Sequence, residues 1–417
     1  MPSQEETRLV EAREGTHCVP SLHDQHLCEG DDFSLLLGGP LFRLWRRTRL
    51  TGDRLELLRR RVIVMVAVTW LPLLLLSIVE RHEWSGGVAL PFLLDLDEHL
   101  RLLVALPLLI VAELIAHRRM RMVVRQFLGL GLIPDAARTR FDSAVASAMR
   151  LRNSGTAELL LISLVYGVGV LYVWRNYVAL DVPSWYGVVL AGKLHPSLAG
   201  WWLGCVSLPI FQFLLLRWYF RLFIWARFLW QVSDIDLRLL PTHPDRCGGL
   251  GFLMFVRIAF APLLLAQGVL LSGVIANRIL FAGARLSDFK VDLIAIVILM
   301  VFVILALLLV FSRKLEEVSR TGVSEYGILA QRYARQFDQK WLRGGASADE
   351  ALLGSSDVQS LADMGSSFDA VNKMRWTPFT VRDVLQMSGI MLLPMLPLTL
   401  TMFSLPQLLE GLLKLVF

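Results

Sequence analysis

The densest group of chemically useful side chains is a short loop. Residues 241–251 read Pro-Thr-His-Pro-Asp-Arg-Cys-Gly-Gly-Leu-Gly. His243, Asp245 and Arg246 supply a titratable base, an acid and a fixed cation within four positions. Gly248, Gly249 and Gly251 allow positive φ or a close approach of backbone to a ligand. A loop of this kind ahead of a helix can hold an anion on amide groups at the helix start. The competing structural reading is that Thr242 caps a turn with Asp245 three positions on, and that the glycines end this turn and open the next helix. Asp234 and Asp236 lie just upstream and, with His243 and Asp245, offer oxygen and imidazole ligands to a divalent cation, although no spacing requires it.

A second group is buried in apolar sequence. Glu113 is the acidic residue inside an expected span, where ionisable groups are costly and point to function. It precedes His117 and Arg118 by about one turn, so an interfacial ion pair explains it equally. Asn277, Gln212 and Gln267 are uncharged polar residues in other apolar runs, suited to bonding a neighbouring helix or to lining a path. Pro394 and Pro397 interrupt the last run and free the carbonyls of Ile390 and Leu393. Broken helices of this type hold ions in some transporters, while simple kinks are the commoner outcome.

The N-terminal stretch holds His17, Cys18, His23, Asp24, His26 and Cys28, a soft set whose spacing matches no standard zinc pattern. No P-loop, dinucleotide fingerprint, nucleophile elbow or zinc-protease helix occurs. No catalytic residue, metal or cofactor is therefore expected, and enzymatic activity ranks last.

The elements that must position these residues are membrane helices. The 417 residues are 55% hydrophobic and 19% charged, with a mean hydropathy of +0.55, whereas a soluble domain carries roughly 25% charged residues. A span needs about 20 mostly apolar residues. Residues 62–79, 196–216, 258–277, 293–312 and 384–409 meet that length without a charge, and 102–116 and 159–174 are shorter candidates. The expected fold is all-α and polytopic, with six or seven transmembrane helices and cytoplasmic helical extensions. Residues 1–40 read as a disordered cytoplasmic tail, and 41–311 as transmembrane helices 1–6 with basic loops between them. The amphipathic stretch 41–61 is expected to lie on the inner leaflet. Residues 312–380 read as a cytoplasmic helical region, and 381–417 as a proline-broken last helix with its tail. Within 312–380 a helix from about 357 to 374 is expected, with Ser356 and Gln359 as its capping box. No strand is expected.

Of the 42 Lys and Arg, 34 fall in the segments that share a side with the N-terminus and 7 in the opposite loops. Basic loops stay inside, so the N-terminus is expected in the cytoplasm, with the first apolar run as an uncleaved anchor. The net charge of +6 then serves topology and anionic headgroups rather than a nucleic acid.

Residues 241–253 (PTHPDRCGGLGFL) and 353–363 (LGSSDVQSLAD), with the Pro-rich last run, resemble a family of uncharacterised bacterial multi-pass membrane proteins. The likeness covers the chain from about residue 40. It implies a bacterial inner-membrane protein and carries over no catalytic residue. The expected function is a channel or transporter-like protein for an ion or small solute, with Glu113, Asn277, Pro394 and Pro397 along the path. The alternative is a membrane scaffold or sensor whose loop at His243, Asp245, Arg246, Gly248 and Gly249 meets a cytoplasmic protein or a small anionic ligand. The bilayer is the expected environment, with a homo-oligomer as a further possibility.

Overall fold

A computed structural model describes residues 58–80, 90–174, 184–190, 193–347, 350–352 and 355–400. The His/Cys-rich N-terminal stretch, the amphipathic segment up to residue 57 and the end of the last apolar run lie outside the described residues. Six helices are long and apolar enough to cross a membrane. These are α1 (Leu58–Val79), α2 (Leu96–Gly129), α5 (Leu198–Ser233), α6 (Gly251–Ala282), α7 (Leu286–Ala306) and α10 (Val381–Thr399). Between α2 and α5 come α3 (Arg138–Arg152) and the shorter apolar α4 (Gly155–Leu164). Helices α8 (Ser312–Phe337) and α9 (Ser356–Asn372) pack as a pair between α7 and α10. The chain is a helical multi-pass membrane protein.

Burial sorts these helices into layers. About half of the apolar stretch of α5 and α6 is buried, against about a fifth of α1, α7 and α10. The axis of the bundle is the pairing of α2 with α6. On α2, Leu102, Ala105, Leu109, Ala112, Ala116, Met120, Val123 and Phe127 are buried, a repeat of three and four that keeps one stripe inward. The outer helices are apolar all round because lipid, not water, covers their free faces.

Two close approaches fix the neighbours. A methyl group on Gly268 of α6 would overlap the Met391 carbonyl of α10, and one on Gly200 of α5 would overlap the Tyr186 carbonyl. Small residues let helix backbones meet where lipid offers no other drive to associate. We expect Gly268→Val to push α10 away and lower stability by about 1–3 kcal/mol, read as an earlier thermal unfolding transition in detergent. An unchanged transition would mean that α10 does not rest on α6 in this way.

Proline accompanies irregular turns in three of the spans. In α2 a π-helical segment, Leu100–Ala105, runs up to Pro107, and in α5 Leu203–Ser207 runs up to Pro209. A proline ring displaces the carbonyl four residues back, and a wider turn relieves the clash. Single π turns often accompany functional sites. In α10, Leu393–Met395 is a 3-10 turn around Pro394.

Three local expectations are revised. The helix α10 begins three residues before the charge-free run at 384, at Val381, because Thr380 and Asp383 form a capping box. The cap of α9 is Ser355, whose hydroxyl accepts the Asp357 amide, rather than the expected Ser356 with Gln359. The Gln359 side chain instead donates to Asp363. A short antiparallel ribbon, β1 (Gly187–Leu190) with β2 (Lys193–Pro196), stands where no strand was expected. Val188, Val189 and Leu190 favour an extended chain, and the run is too short to register as a strand amid so much apolar sequence.

The two ends of the bundle are chemically different. Residues 132, 235–238, 245–250, 314 and 371–375 are tied together at one end, for example by Arg238 N–H to the Leu132 carbonyl and Arg375 N–H to the Arg246 carbonyl. We call this the basic face. Residues 80, 90–99, 184–187, 196–198 and 277 meet at the other, the acidic face, where the Trp185 amide donates to the Leu90 carbonyl and Glu80 accepts from Leu198.

Candidate functional site

At the acidic face, the start of α2 carries Asp95, Asp97, Glu98 and Arg101. Asp95 is the N-cap: its Oδ1 accepts the Glu98 amide at 3.2 Å. The same oxygen accepts the Asn277 side-chain amide of α6 at 2.7 Å, and Oδ2 accepts the Trp185 indole N–H at 2.8 Å. Asn277 returns the contact, its Oδ1 accepting the Leu96 amide at 3.1 Å. One buried carboxylate thus joins α2, α6 and the segment before β1. Around it Phe92 and Trp185 are fully enclosed and meet edge to face.

One turn on, Arg101 pairs with both Asp97, at 2.7 Å, and Glu98. These are the three- and four-residue offsets at which helical side chains meet. Among the described residues, the cluster therefore holds three carboxylates and one guanidinium. Asp95 and Glu98 are 2% and 4% exposed. The second oxygen of Glu98, Oε2, and Oδ1 of Asp97 are buried with no hydrogen-bond partner. Gly273 of α6 presses on the Asp97 backbone, where a methyl group would come within 2.9 Å of Cα. Buried carboxylate oxygens need donors; Arg101 is the counter-charge of both groups, and these two oxygens have no donor of their own.

The second cluster lies deeper along α2, towards the basic face. Glu113 sits between two arginines: Arg61 of α1 pairs with Oε2, and Arg221 of α5 donates to Oε1 at 2.6 Å. All three are buried. Arg221 also stacks over the Trp218 ring at 5.1 Å, and Trp218 donates to the Leu109 carbonyl at 3.0 Å. Buried Arg217 lies one turn before Arg221 and 3.8 Å from Glu158 of α4. Four helices are thereby stitched by charge. A cation approaching Glu113 would meet two guanidinium groups, so the residue serves as an anchor in this arrangement.

The loop before α6 is self-contained. The Asp245 carboxylate accepts the amides of Cys247 at 2.8 Å, Gly249 at 3.2 Å and Gly251 at 2.7 Å, and contacts His243 Nδ1 at 2.8 Å. Gly248 and Gly249 have positive φ, as does Arg246 at 56°, which turns successive amides inward. The amide nest that an anionic ligand would need is filled by the chain's own carboxylate. Arg375 completes the loop by donating to the Asp245 carbonyl at 3.0 Å. Asp236 pairs with Lys314 rather than with the loop. Asp234, Asp236, His243 and Asp245 do not converge as a metal centre requires.

Burial raises the Asp245 carboxyl, but the amides of Cys247, Gly251 and Gly249, and then His243, outweigh it and hold it below the ordinary range. A depressed folded-state value contributes stability above the unfolded carboxylate range near 4, and this is lost as pH falls through the folded value. Thermal stability of the wild type should therefore drop below about pH 4, and Asp245→Asn should flatten that dependence. An acid limb of equal size in the variant would contradict this role.

Of the other expected residues, Pro394 offers its carbonyl to Ser272 at 2.9 Å, and Pro397 lies in the last turn of α10. Gln267 donates to Tyr219 at 2.9 Å. Asn277 and Glu113 belong to different clusters: it is Asp95, not Glu113, that Asn277 meets. The acidic group 95–101 escaped the sequence reading because it falls in what looked like a loop. Its signal was the spacing Asp-x-Asp-Glu-x-x-Arg ahead of an apolar run. The chain matches no family model, no curated protein and no solved structure, so its site is read from its own geometry.

Proposed function

We propose that this is a channel or transporter-like protein of the bacterial inner membrane that moves a small cation, received at the acidic face. The observation that carries the reading is the excess of carboxylate, at buried Asp95 and Glu98 and half-buried Asp97, over the single Arg101, with Glu98 Oε2 buried and unpartnered. A site with surplus negative charge in a low-dielectric setting attracts cations and repels anions. The π-helical turns of α2 and α5, within the first turns of those helices, supply irregular backbone of the kind found at membrane sites. By the positive-inside rule the basic face lies in the cytoplasm, so the acidic cluster faces outward. The scaffold or sensor reading draws on exposed Ile328, Leu329 and Val358 of the α8–α9 pair, apolar side chains at the basic end that a partner would cover.

Purified protein in proteoliposomes distinguishes the two. Imposed gradients of protons, sodium or potassium should drive uptake of one of them, and Glu98→Gln or Asp97→Asn should cut the rate at least about tenfold, a loss of roughly 1.4 kcal/mol in the transport barrier. The variants should elute as the wild type does on size exclusion. Absence of flux for every cation, or equal flux in wild type and variants, contradicts the proposal.

A further inference from the structure

At the basic end of α2 the helix outlasts the membrane. Its 34 residues extend about 51 Å, roughly 20 Å more than the hydrocarbon core. The apolar stretch ends at Ala116, so His117 stands where acyl chains give way to headgroups. From there, one face of the helix carries His117, Arg118, Arg121 and Arg125, at offsets of three and four. These residues line a groove of about 530 Å³, continued by Met122 and Leu130. Arg118 and Arg125 are exposed. Arg119, by contrast, points the other way, over the Phe255 ring of α6 at 5.9 Å. The sorting is thus by face: one arginine packs within the bundle, and three with a histidine border an open groove.

We infer that this groove binds the phosphate of an anionic phospholipid. The depth is that of lipid phosphates, and the lining pairs cations with apolar side chains, as a phosphate joined to a glycerol backbone requires. Arginine suits the role because its guanidinium presents five donors in a planar fork. One that already holds a protein partner still has others to offer, so engagement elsewhere in the chain is compatible with lipid binding. The inference does not depend on the transport reading, since the groove is on the opposite face from the acidic pocket.

The test is native mass spectrometry of the full chain from micelles titrated with phosphatidylglycerol or phosphatidylcholine. Phosphatidylglycerol should bind about tenfold more tightly, on the scale of one to two juxtamembrane charges, and salt should weaken it. Arg118→Gln with Arg125→Gln should abolish the preference, whereas Arg332→Gln with Arg335→Gln, on exposed positions of α8, should keep it. A thermal scan in phosphatidylcholine checks that both double variants are folded. Should the first pair fail to fold, the single Arg125→Gln variant should lower the preference severalfold. Equal binding of the two lipids, retention of the preference in the groove variants, or full displacement by millimolar inorganic phosphate would overturn the assignment. The last outcome would identify a free-anion site instead.

Discussion

Replacing Glu113 with alanine is expected to unfold the protein in mild detergent at temperatures where the wild type stays intact. The carboxylate is the shared counter-charge of Arg61 and Arg221, and all three side chains are buried. Removing one member of a buried ionic group leaves the rest uncompensated, at a cost of about 3–5 kcal/mol. That is a large part of the 5–15 kcal/mol that holds an ordinary domain together. Alanine also removes one of the ties between α1 and α2. Cys247 is fully buried, so a thiol-reactive dye that reports its exposure can follow the transition. The triple replacement Arg61→Met, Glu113→Leu, Arg221→Met should recover most of the loss, since apolar groups of similar volume often substitute for a buried ion network. A Glu113→Ala variant as stable as the wild type would show that the two arginines find other partners.

The second large effect is expected at Asp95. Asp95→Ala removes the acceptor of the Glu98 amide, the Asn277 side chain and the Trp185 indole at once. Each buried donor left without a partner costs about 1–3 kcal/mol, and the N-cap alone is worth about 1 kcal/mol. The loss should be visible in two ways: a lower unfolding temperature, and a change in the fluorescence of Trp185 as its environment loosens. Asp95→Asn keeps one acceptor oxygen and should fall between alanine and wild type. Asp95 and Glu113 are 18 residues apart on one helix, roughly 27 Å, with no partner in common. Their effects should add in the double variant to within about 0.5 kcal/mol. Strong coupling would mean that α2 transmits strain between the clusters, which the geometry gives no reason to expect.

The spans were legible because lipid imposes a simple rule: a run of apolar residues of sufficient length must be helical. Residues 62–79 and 258–277 lie within α1 and α6 for that reason. The helix α5 runs on past the apolar run 196–216 to Ser233, and its 36 residues outreach the thickness of a bilayer. Charge-free length alone would start α10 at residue 384, because Asp383 breaks the run, although that aspartate belongs to the capping box that starts the helix. The same bias hid the acidic pocket. Asp95, Asp97 and Glu98 looked like loop charges when set against apolar runs, yet α6 and Trp185 cover them in three dimensions. Glu113 was recognised as exceptional, but its partners were 52 and 108 positions away, at Arg61 and Arg221, and no local pattern connects them. The loop at 241–251 shows the converse. Its glycines, acid and histidine do act together, and they act on one another.

Current through a planar bilayer containing the purified protein, under a salt gradient, tests the surplus of buried carboxylate at the acidic face most directly. A reversal potential that follows the cation gradient, and a current that collapses with Glu98→Gln while Arg332→Gln leaves it intact, is the expected result. A reversal potential that follows the anion, or a cation current indifferent to Glu98, would contradict a cation-receiving pocket at Asp95, Asp97 and Glu98.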